Sequence, residues 1–533
     1  MKTFIKMIKG QGTNALKGSL FAFLLLLTSC DGLTDLQPAD AFSDQTAFSS
    51  PQRVELTAIG MYEAAQSGSY AGGAVRGYPF GAASIEQGDM RGEDMLNQAL
   101  FFQITYEASY TPFSANNVWM WNTLFSLINQ ANVLIEGSKQ AATAKVITDA
   151  QQVNYEGEAR FMRALAYHEL LINFSRPFAD NNGAALGVPI RDFAVNSPAT
   201  VDKAVAQPRN TVAECYKFIL SDLDFAETNL PTTRTGNLRV TRPIKGAAIA
   251  LKTRIKLHQA DWQGVVTEAA KITTASAPFT SPISGFALGA TPAAPFTNTY
   301  STEAVYSIEN NATDNAGVNG ALAAMLGNPT LGGRGLSRIS PIAYNLPEWR
   351  GDDLRRGLMN QDGRSYYTAK FSDYVNRTDN APIMRYAEVL LNAAEAKARL
   401  GTGVDASALA LLNAVRNRAV TAAANQYTAA SFADKNAFIR AILAERRIEF
   451  LGEGRRWSDI HRLSLDATFS VGGIPAKMAF GNAVFTTYNF TTPPTLTKTI
   501  ATIPYTDYRY VWPIPADELS RNATLAKQQN PGY

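Results

Sequence analysis

The stretch Pro382-Ile383-Met384-Arg385-Tyr386-Ala387-Glu388-Val389-Leu390-Leu391-Asn392-Ala393-Ala394-Glu395-Ala396-Lys397-Ala398-Arg399-Leu400 carries two interleaved patterns. Its polar residues Arg385, Glu388, Asn392, Glu395 and Arg399 fall at steps of 3, 4, 3 and 4. Between them run Ala387, Leu390, Leu391, Ala394 and Ala398, an apolar face of mostly small side chains. The period is that of an α-helix, opened by Pro382, and the alanines allow a neighbouring helix to approach closely.

The same device recurs on either side. Helices are predicted over Ala406 to Ala419 and Asn436 to Leu451. Trp121, Leu124, Phe125, Ile128, Ala131 and Ile135 form one helical stripe. Ala159, Met162, Ala166, Leu170 and Phe174 form another within Asn154 to Phe174. Thr211 and Glu214 have the spacing of a capping box, which makes Cys215, Ile219 and Leu223 one face of the helix it opens. Gly246 to His258 and Gly264 to Ile272 read as a helical pair turning at residues 260–263. The expected fold is mainly α, built from tetratricopeptide-like helix pairs in an α-α superhelix, with few short strands. The 34-residue period of such repeats is not kept, and long insertions interrupt them. Residues 65–113, 275–380 and 467–510 break the helical pattern with Gly, Pro, Asn, Thr and aromatic residues. Long loops on a helical scaffold commonly carry a binding face.

The start of the chain has a different logic. Lys2, Lys6, Lys9 and Lys17 precede the apolar run Leu20 to Leu27, with no acidic residue, and Leu27-Thr28-Ser29 leads directly to Cys30. This is the layout of a secretory signal, and the run is too short to span a bilayer. Cys30 after that triplet resembles a lipobox cysteine, acylated and placed first in the mature protein. Residues 1–29 are thus expected to be a lipoprotein signal peptide and 30–50 a lipidated tether. Residues 51–275 and 276–533 form an N-terminal and a C-terminal helical region, each with its insertion.

Composition narrows the function. The chain has 533 residues and a formal charge of +3, but without the four signal lysines 45 Lys and Arg face 46 Asp and Glu. There is no basic excess of the kind nucleic-acid binding requires. Cys215 is the only cysteine besides Cys30, so no disulfide is expected, and its spacing makes it a small core residue. His168, His258 and His461 lack metal-ligand spacing and read as packing or helix-surface residues. No metal or cofactor is expected.

Three segments together carry a resemblance: Glu158 to Tyr167 (EARFMRALAY), Met384 to Ala396 with Leu412 to Ala419, and Glu445 to Ile460 (ERRIEFLGEGRRWSDI). With the lipobox and Pro513-Ile514-Pro515, the chain resembles the SusD/RagB family of Bacteroidetes outer-membrane lipoproteins. That resemblance implies a lipid-anchored, mainly helical protein on the outer membrane, facing outward as a ligand-capturing lid. Its partner would be a SusC-like, TonB-dependent barrel transporter. The ligand would be a nutrient oligosaccharide, or a peptide in the RagB branch, bound and handed over without hydrolysis. The alternating charges of Glu445 to Asp459 read as internal salt-bridge networks and solvated faces rather than an anion site. Trp121, Trp262 and Trp457 read as packing residues.

Sugar recognition needs flat apolar ring faces and planar hydrogen-bonding groups. The loop regions offer Tyr70, Arg76, Tyr78 and Phe80 in the first, and Asn315, Arg334, Tyr344 and Trp349 in the second. Asp352-Asp353-Leu354-Arg355, just after Trp349, reads as a structural turn. Two other classes compete. A glycan-degrading enzyme would draw on Glu86 with Asp89 or Glu93 with Asp94, although adjacency in sequence is no sign of the separation hydrolysis requires. A tetratricopeptide assembly scaffold would bind proteins, and the long aromatic insertions argue against it.

Overall fold

The computed structural model describes residues 44–68 and 76–533; Cys30 and Tyr70 lie outside them. The longer helices used below are α1 (Pro51–Gln66), α2 (Ala82–Met90), α3 (Ala115–Thr143), α4 (Asp149–Phe174), α5 (Val212–Asn229), α6 (Lys245–His258), α7 (Trp262–Ile272), α8 (Tyr386–Leu400), α9 (Ala406–Arg416), α10 (Lys435–Glu449) and α11 (Arg456–Leu463). Their starts are set by caps. Ser50 accepts a hydrogen bond from the Arg53 amide with Pro51 at the first helical position of α1. Thr148 with Gln151 and Thr211 with Glu214 form capping boxes at α4 and α5. Asp261, Asp405 and Asp434 cap α7, α9 and α10.

Successive helices pack one on the next: α3 on α4, α4 on α5, α5 on α6, α6 on α7, α7 on α8, and α8 on both α9 and α10. The fold is mainly α. One apolar core runs through this stack from Val54 to Leu525, so residues on both sides of position 275 share it. Cys215 is buried within it. Among the described residues no helix is long and apolar enough to cross a membrane. The strands are short: β1 (Met95–Asn97), β2 (Ala304–Ile308), β3 (Ser337–Ile339), β4 (Met359–Gln361), β5 (Tyr366–Thr368), β6 (Ala381–Arg385), β7 (Gly473–Ile474) and β8 (Ile503–Pro504). They pair antiparallel as β1–β3, β2–β6, β4–β5 and β7–β8.

Two expectations are corrected here. The helix expected from Pro382 begins at Tyr386, because residues 381–385 are drawn into β6, where Pro382 stands opposite Ser307. Residues 65–113 are not all loop. They contain α2 and the short helix Leu100–Tyr106, and Gly88 of α2 packs so closely on the Gly454 turn that a Cβ would sit 2.4 Å from the Gly454 carbonyl oxygen.

The polar face of α8 is buried, and it lies inside a network of charges. Arg385 reaches Glu303 (2.6 Å), Glu449 (2.9 Å) and Glu453 (2.8 Å). Arg418 bridges Glu303 and Glu449, and Arg355 joins Asp353, Glu445 and Glu449. Arg462 pairs with Glu395 at 2.8 Å and Asp459 at 2.7 Å. The Glu445 to Asp459 motif thus works as an internal lattice, the remote partners of its glutamates being Arg355, Arg385 and Arg418. The Asp352 to Arg355 turn is part of it, since Asp353 caps the short helix 354–358 and Arg355 is buried.

Arg254 grips Glu388 through Nε and Nη2, both at 2.7 Å. Burial alone would raise the Glu388 pKa, but the guanidinium outweighs it and holds the carboxyl down at about 2. In the acid range the unfolded chain therefore binds the proton that the folded chain refuses. This contribution, on the order of 3 kcal/mol, is present above about pH 4.5 and lost as pH falls towards about 2. Glu388→Gln should flatten that part of the acid-unfolding curve, measured by circular dichroism. An unchanged slope would contradict the assignment.

All three histidines are buried packing residues. The rings of His168 and His258, from α4 and α6, meet edge to face at 4.6 Å. Burial pushes both well below the ordinary imidazole range, and His461 down to about 3, so they stay neutral.

Candidate functional site

The strongest concentration of ring surface outside the helical core forms where three distant segments converge. The short helix Pro341–Tyr344, capped by Ser340, ends on Tyr344. The β4–β5 hairpin presents Tyr366, its turn held by Asp362, which accepts hydrogen bonds from the Arg364 and Ser365 amides at 2.9 Å. The loop after β7 delivers Phe485, Tyr488 and Phe490. Asn345 joins the first and third segments, donating to the Thr487 carbonyl at 2.7 Å and accepting from the Asn489 amide at 3.0 Å.

The rings are ordered. Tyr344 and Tyr366 stack at 4.6 Å with planes 29° apart, and Tyr366 continues to Phe485 at 6.3 Å and 18°. Tyr488 meets Tyr344 edge-on at 5.3 Å, its hydroxyl donating to the Ile339 carbonyl at 2.8 Å. Phe490 closes the row 6.0 Å from Tyr344. Phe485 and Phe490 are 45% and 36% exposed, and Tyr366 is half-buried, so ring faces reach solvent. Burial and the bond to Tyr366 push the Tyr344 phenol up to about 12, which keeps it a neutral hydrogen-bonding group.

Arg356 is the staple behind this arc. Its guanidinium lies 3.9 Å from the Phe490 ring, 4.6 Å from Trp349 and 4.8 Å from Tyr344, while it donates to the carbonyls of Arg350, Trp349 and Tyr344. Such a row of pre-ordered, partly exposed rings can cover the C–H face of a sugar at little entropic cost.

Of the residues expected from sequence, Tyr344 and Trp349 belong to this place, but both are buried: Tyr344, 7% exposed, backs the Tyr366 ring, and Trp349, 2% exposed, supports the arc from beneath Arg356. The first loop region supplies no exposed platform. Tyr78 is 1% exposed and accepts a hydrogen bond from Gln87 at 2.8 Å, and Phe80 is buried beside Gly88 and Trp457. Both were drawn inward because α2 docks against the Gly454 turn. Arg76 is half-buried with its guanidinium 5.6 Å from the Phe101 ring. Asn315 ties loops together, donating to the Asn311 carbonyl at 2.8 Å and the Asn376 carbonyl at 3.3 Å. Arg334 is exposed and donates to Asn319 at 2.7 Å. None of these enters the ring contacts of the arc. Sequence reasoning missed Tyr366, Phe485, Tyr488 and Phe490; the available signal was four aromatic residues (Phe480, Phe485, Tyr488 and Phe490) within eleven positions of the third loop region.

The carboxylates weighed for hydrolysis are inaccessible. Glu86, Asp89, Glu93 and Asp94 are all buried. Burial raises Glu86 well above the carboxylate range and brings Asp89 to about 7. For Glu93 burial is overcome by Arg447 and Arg456, which lower it, and Arg447 also clasps Asp94. Four buried acids, two of them locked to arginines, cannot flank a glycosidic bond.

Comparison with known proteins places this geometry. The model described as SusD family matches residues 341–533, and one described as starch-binding associating with outer membrane matches residues 35–257. SusD-like protein P2 of Formosa agariphila is 24% identical over 561 aligned positions, covering 96% of this chain and 99% of the relative. The crystal structure of a SusD superfamily protein from Bacteroides fragilis superposes with a TM-score of 0.72 at 26% identity, over 90% of this chain and 99% of that one. Surface glycan-binding protein A from Bacteroides uniformis shares the fold, with a TM-score of 0.65 at 19% identity over 90% of this chain and 99% of that one. With the helical stack and the matches to both halves in agreement, the chain belongs to the SusD/RagB family.

Proposed function

We propose that this protein is a lipid-anchored receptor on the outer membrane that captures an oligosaccharide on the aromatic arc and delivers it, unhydrolysed, to a SusC-like, TonB-dependent barrel transporter, for which it acts as lid. The observation that carries the reading is the stacked row in which Tyr366 and Phe485 present ring surface to solvent over the buried Tyr344. The family descriptions support a carbohydrate ligand at the outer membrane. Capture alone moves nothing across a membrane, and a barrel is the open architecture that satisfies every backbone group in lipid.

The test is a calorimetric titration of the mature protein with a panel of neutral oligosaccharides and of peptides of matched length, followed by chromatography of the incubated ligands. At least one oligosaccharide should bind, and all should be recovered intact. Binding of peptides alone, or product that accumulates in proportion to protein, would overturn the reading. Anchoring is tested separately. Cys30→Ala should release the protein from the membrane fraction or leave it unprocessed, and mild detergent should co-extract a large barrel protein with the wild type. A variant that still resists a carbonate wash would exclude acylation as the anchor.

A further inference from the structure

The loop that delivers Phe485, Tyr488 and Phe490 to the arc carries one more exposed ring, Phe480. The loop is closed at its base, where Lys477 and Ile500 exchange backbone hydrogen bonds at 3.0 and 3.1 Å. Lys477 is buried and donates from Nζ to the carbonyls of Met90 and Tyr106, while the Tyr106 hydroxyl donates to the Met478 carbonyl at 2.6 Å. Just beyond that anchor Phe480 opens the single helical turn Phe480–Asn482, and Phe485 opens the next, Phe485–Thr487.

Between those turns the loop passes over the edge of the β1–β3 ribbon. Met95 and Ile339 pack with Tyr344 of the arc, whereas Met478 and Ala483 pack on Leu96. Leu96 stands opposite Arg338 in the ribbon, and the Arg338 guanidinium lies 3.7 Å from the centre of the Phe480 ring. The same guanidinium donates to the Ser365 hydroxyl, beside Tyr366 in the hairpin. Arg338 is 5% exposed and Phe480 42%. The arc has the same construction, with Arg356 lying 3.9 Å from Phe490. A fixed guanidinium over an aromatic ring attracts its face and orders it before any ligand arrives. The turn 362–365 of the β4–β5 hairpin joins the two places. Gln361 is exposed and stands directly opposite Tyr366, so the two side chains share one face of the hairpin. A planar hydrogen-bonding group thus lies beside the stacked row on the hairpin that Arg338 also holds. From Phe480 to Phe485 the backbone reaches at most about 18 Å, a span that a short oligosaccharide can cover and a single sugar cannot.

We propose that Phe480 is a second sugar platform, and that the arc selects an oligosaccharide long enough to cross the hairpin and rest on it. The inference depends on the reading of the arc as a glycan site and adds chain length to what that site recognises. The probes are the malto-, cello- and laminari-oligosaccharides, each from disaccharide to octasaccharide, titrated calorimetrically into the mature protein. In at least one series affinity should climb with length and level off, the longest members binding about tenfold tighter than the shortest. Phe480→Ala should cut that ratio to about twofold or less, whereas Phe480→Trp, which keeps a ring on Arg338, should preserve it. Tyr366→Ala should weaken every length and keep the ratio, which separates the new platform from the arc. Phe480 is exposed, so its truncation leaves the core in place, and matched thermal unfolding curves check this. Equal affinities at all lengths in the wild type, or a length ratio that Phe480→Ala does not change, overturn the inference. If Tyr366→Ala still weakens binding in that case, the arc stands and only its extension falls. No binding in any series overturns both.

Discussion

Arg385→Met is expected to cost about 3–5 kcal/mol of folding stability, the largest loss anticipated from any single charge in this chain. The side chain is 3% exposed and satisfies three carboxylates from three segments: Glu303 before β2, Glu449 at the end of α10, and Glu453 in the following turn. Removing the guanidinium leaves those acids buried with fewer partners, and desolvation then acts on each of them. Arg418, Arg355 and Lys370 retain some of the charge, so the protein should fold, but with a lower urea midpoint. Lys139→Met is the comparison. Its pair with Glu156 leaves the lysine 51% exposed, and exposed pairs contribute only about 0–1 kcal/mol. If Arg385→Met costs no more than Lys139→Met, the lattice is not what joins the last helices to the strands.

The second large effect concerns binding. Tyr366→Ala combined with Phe485→Ala removes the middle and outer rings of the stacked row while leaving Tyr344, Arg356 and Trp349 in place. Central aromatic contacts in binding sites are commonly worth about 2 kcal/mol or more, so the oligosaccharide affinity should fall about 30-fold. Trp349→Ala is expected to act differently. Its indole is buried under Arg356, so truncation should lower stability first and binding only as a consequence. Tyr78→Ala belongs to the same class, being a core tyrosine bonded to Gln87.

The contrast between those residues marks what the sequence made legible. Helical stripes are local, so α3 to α7 and the Thr211–Glu214 cap could be read directly, to within a few residues at their ends. The strand at 381–385 could not, because its cause is β2, whose Ile308 pairs with Ala381 more than seventy positions away. The alternating charges of Glu445 to Asp459 pointed to an internal network, yet Arg355, Arg418 and Asp94 as its remote partners depend on tertiary structure alone. Tyr344 could be singled out in a loop region, but not its neighbours Tyr366, on the β4–β5 hairpin, and Phe485 and Tyr488, whose loop Asn345 holds across a long sequence separation. Tyr78 and Phe80 misled because a Gly-rich, aromatic segment reads as a loop until a helix following it is seen to dock.

The central claim is that the arc is the ligand platform. It is tested most directly by titrating the oligosaccharide that binds best into wild type, Tyr366→Ala and the Tyr366→Ala, Phe485→Ala double variant, after matched thermal unfolding curves confirm intact folds. The account predicts a loss of about tenfold for the single variant and about 30-fold for the double. Affinities within about twofold of wild type in both variants would contradict it.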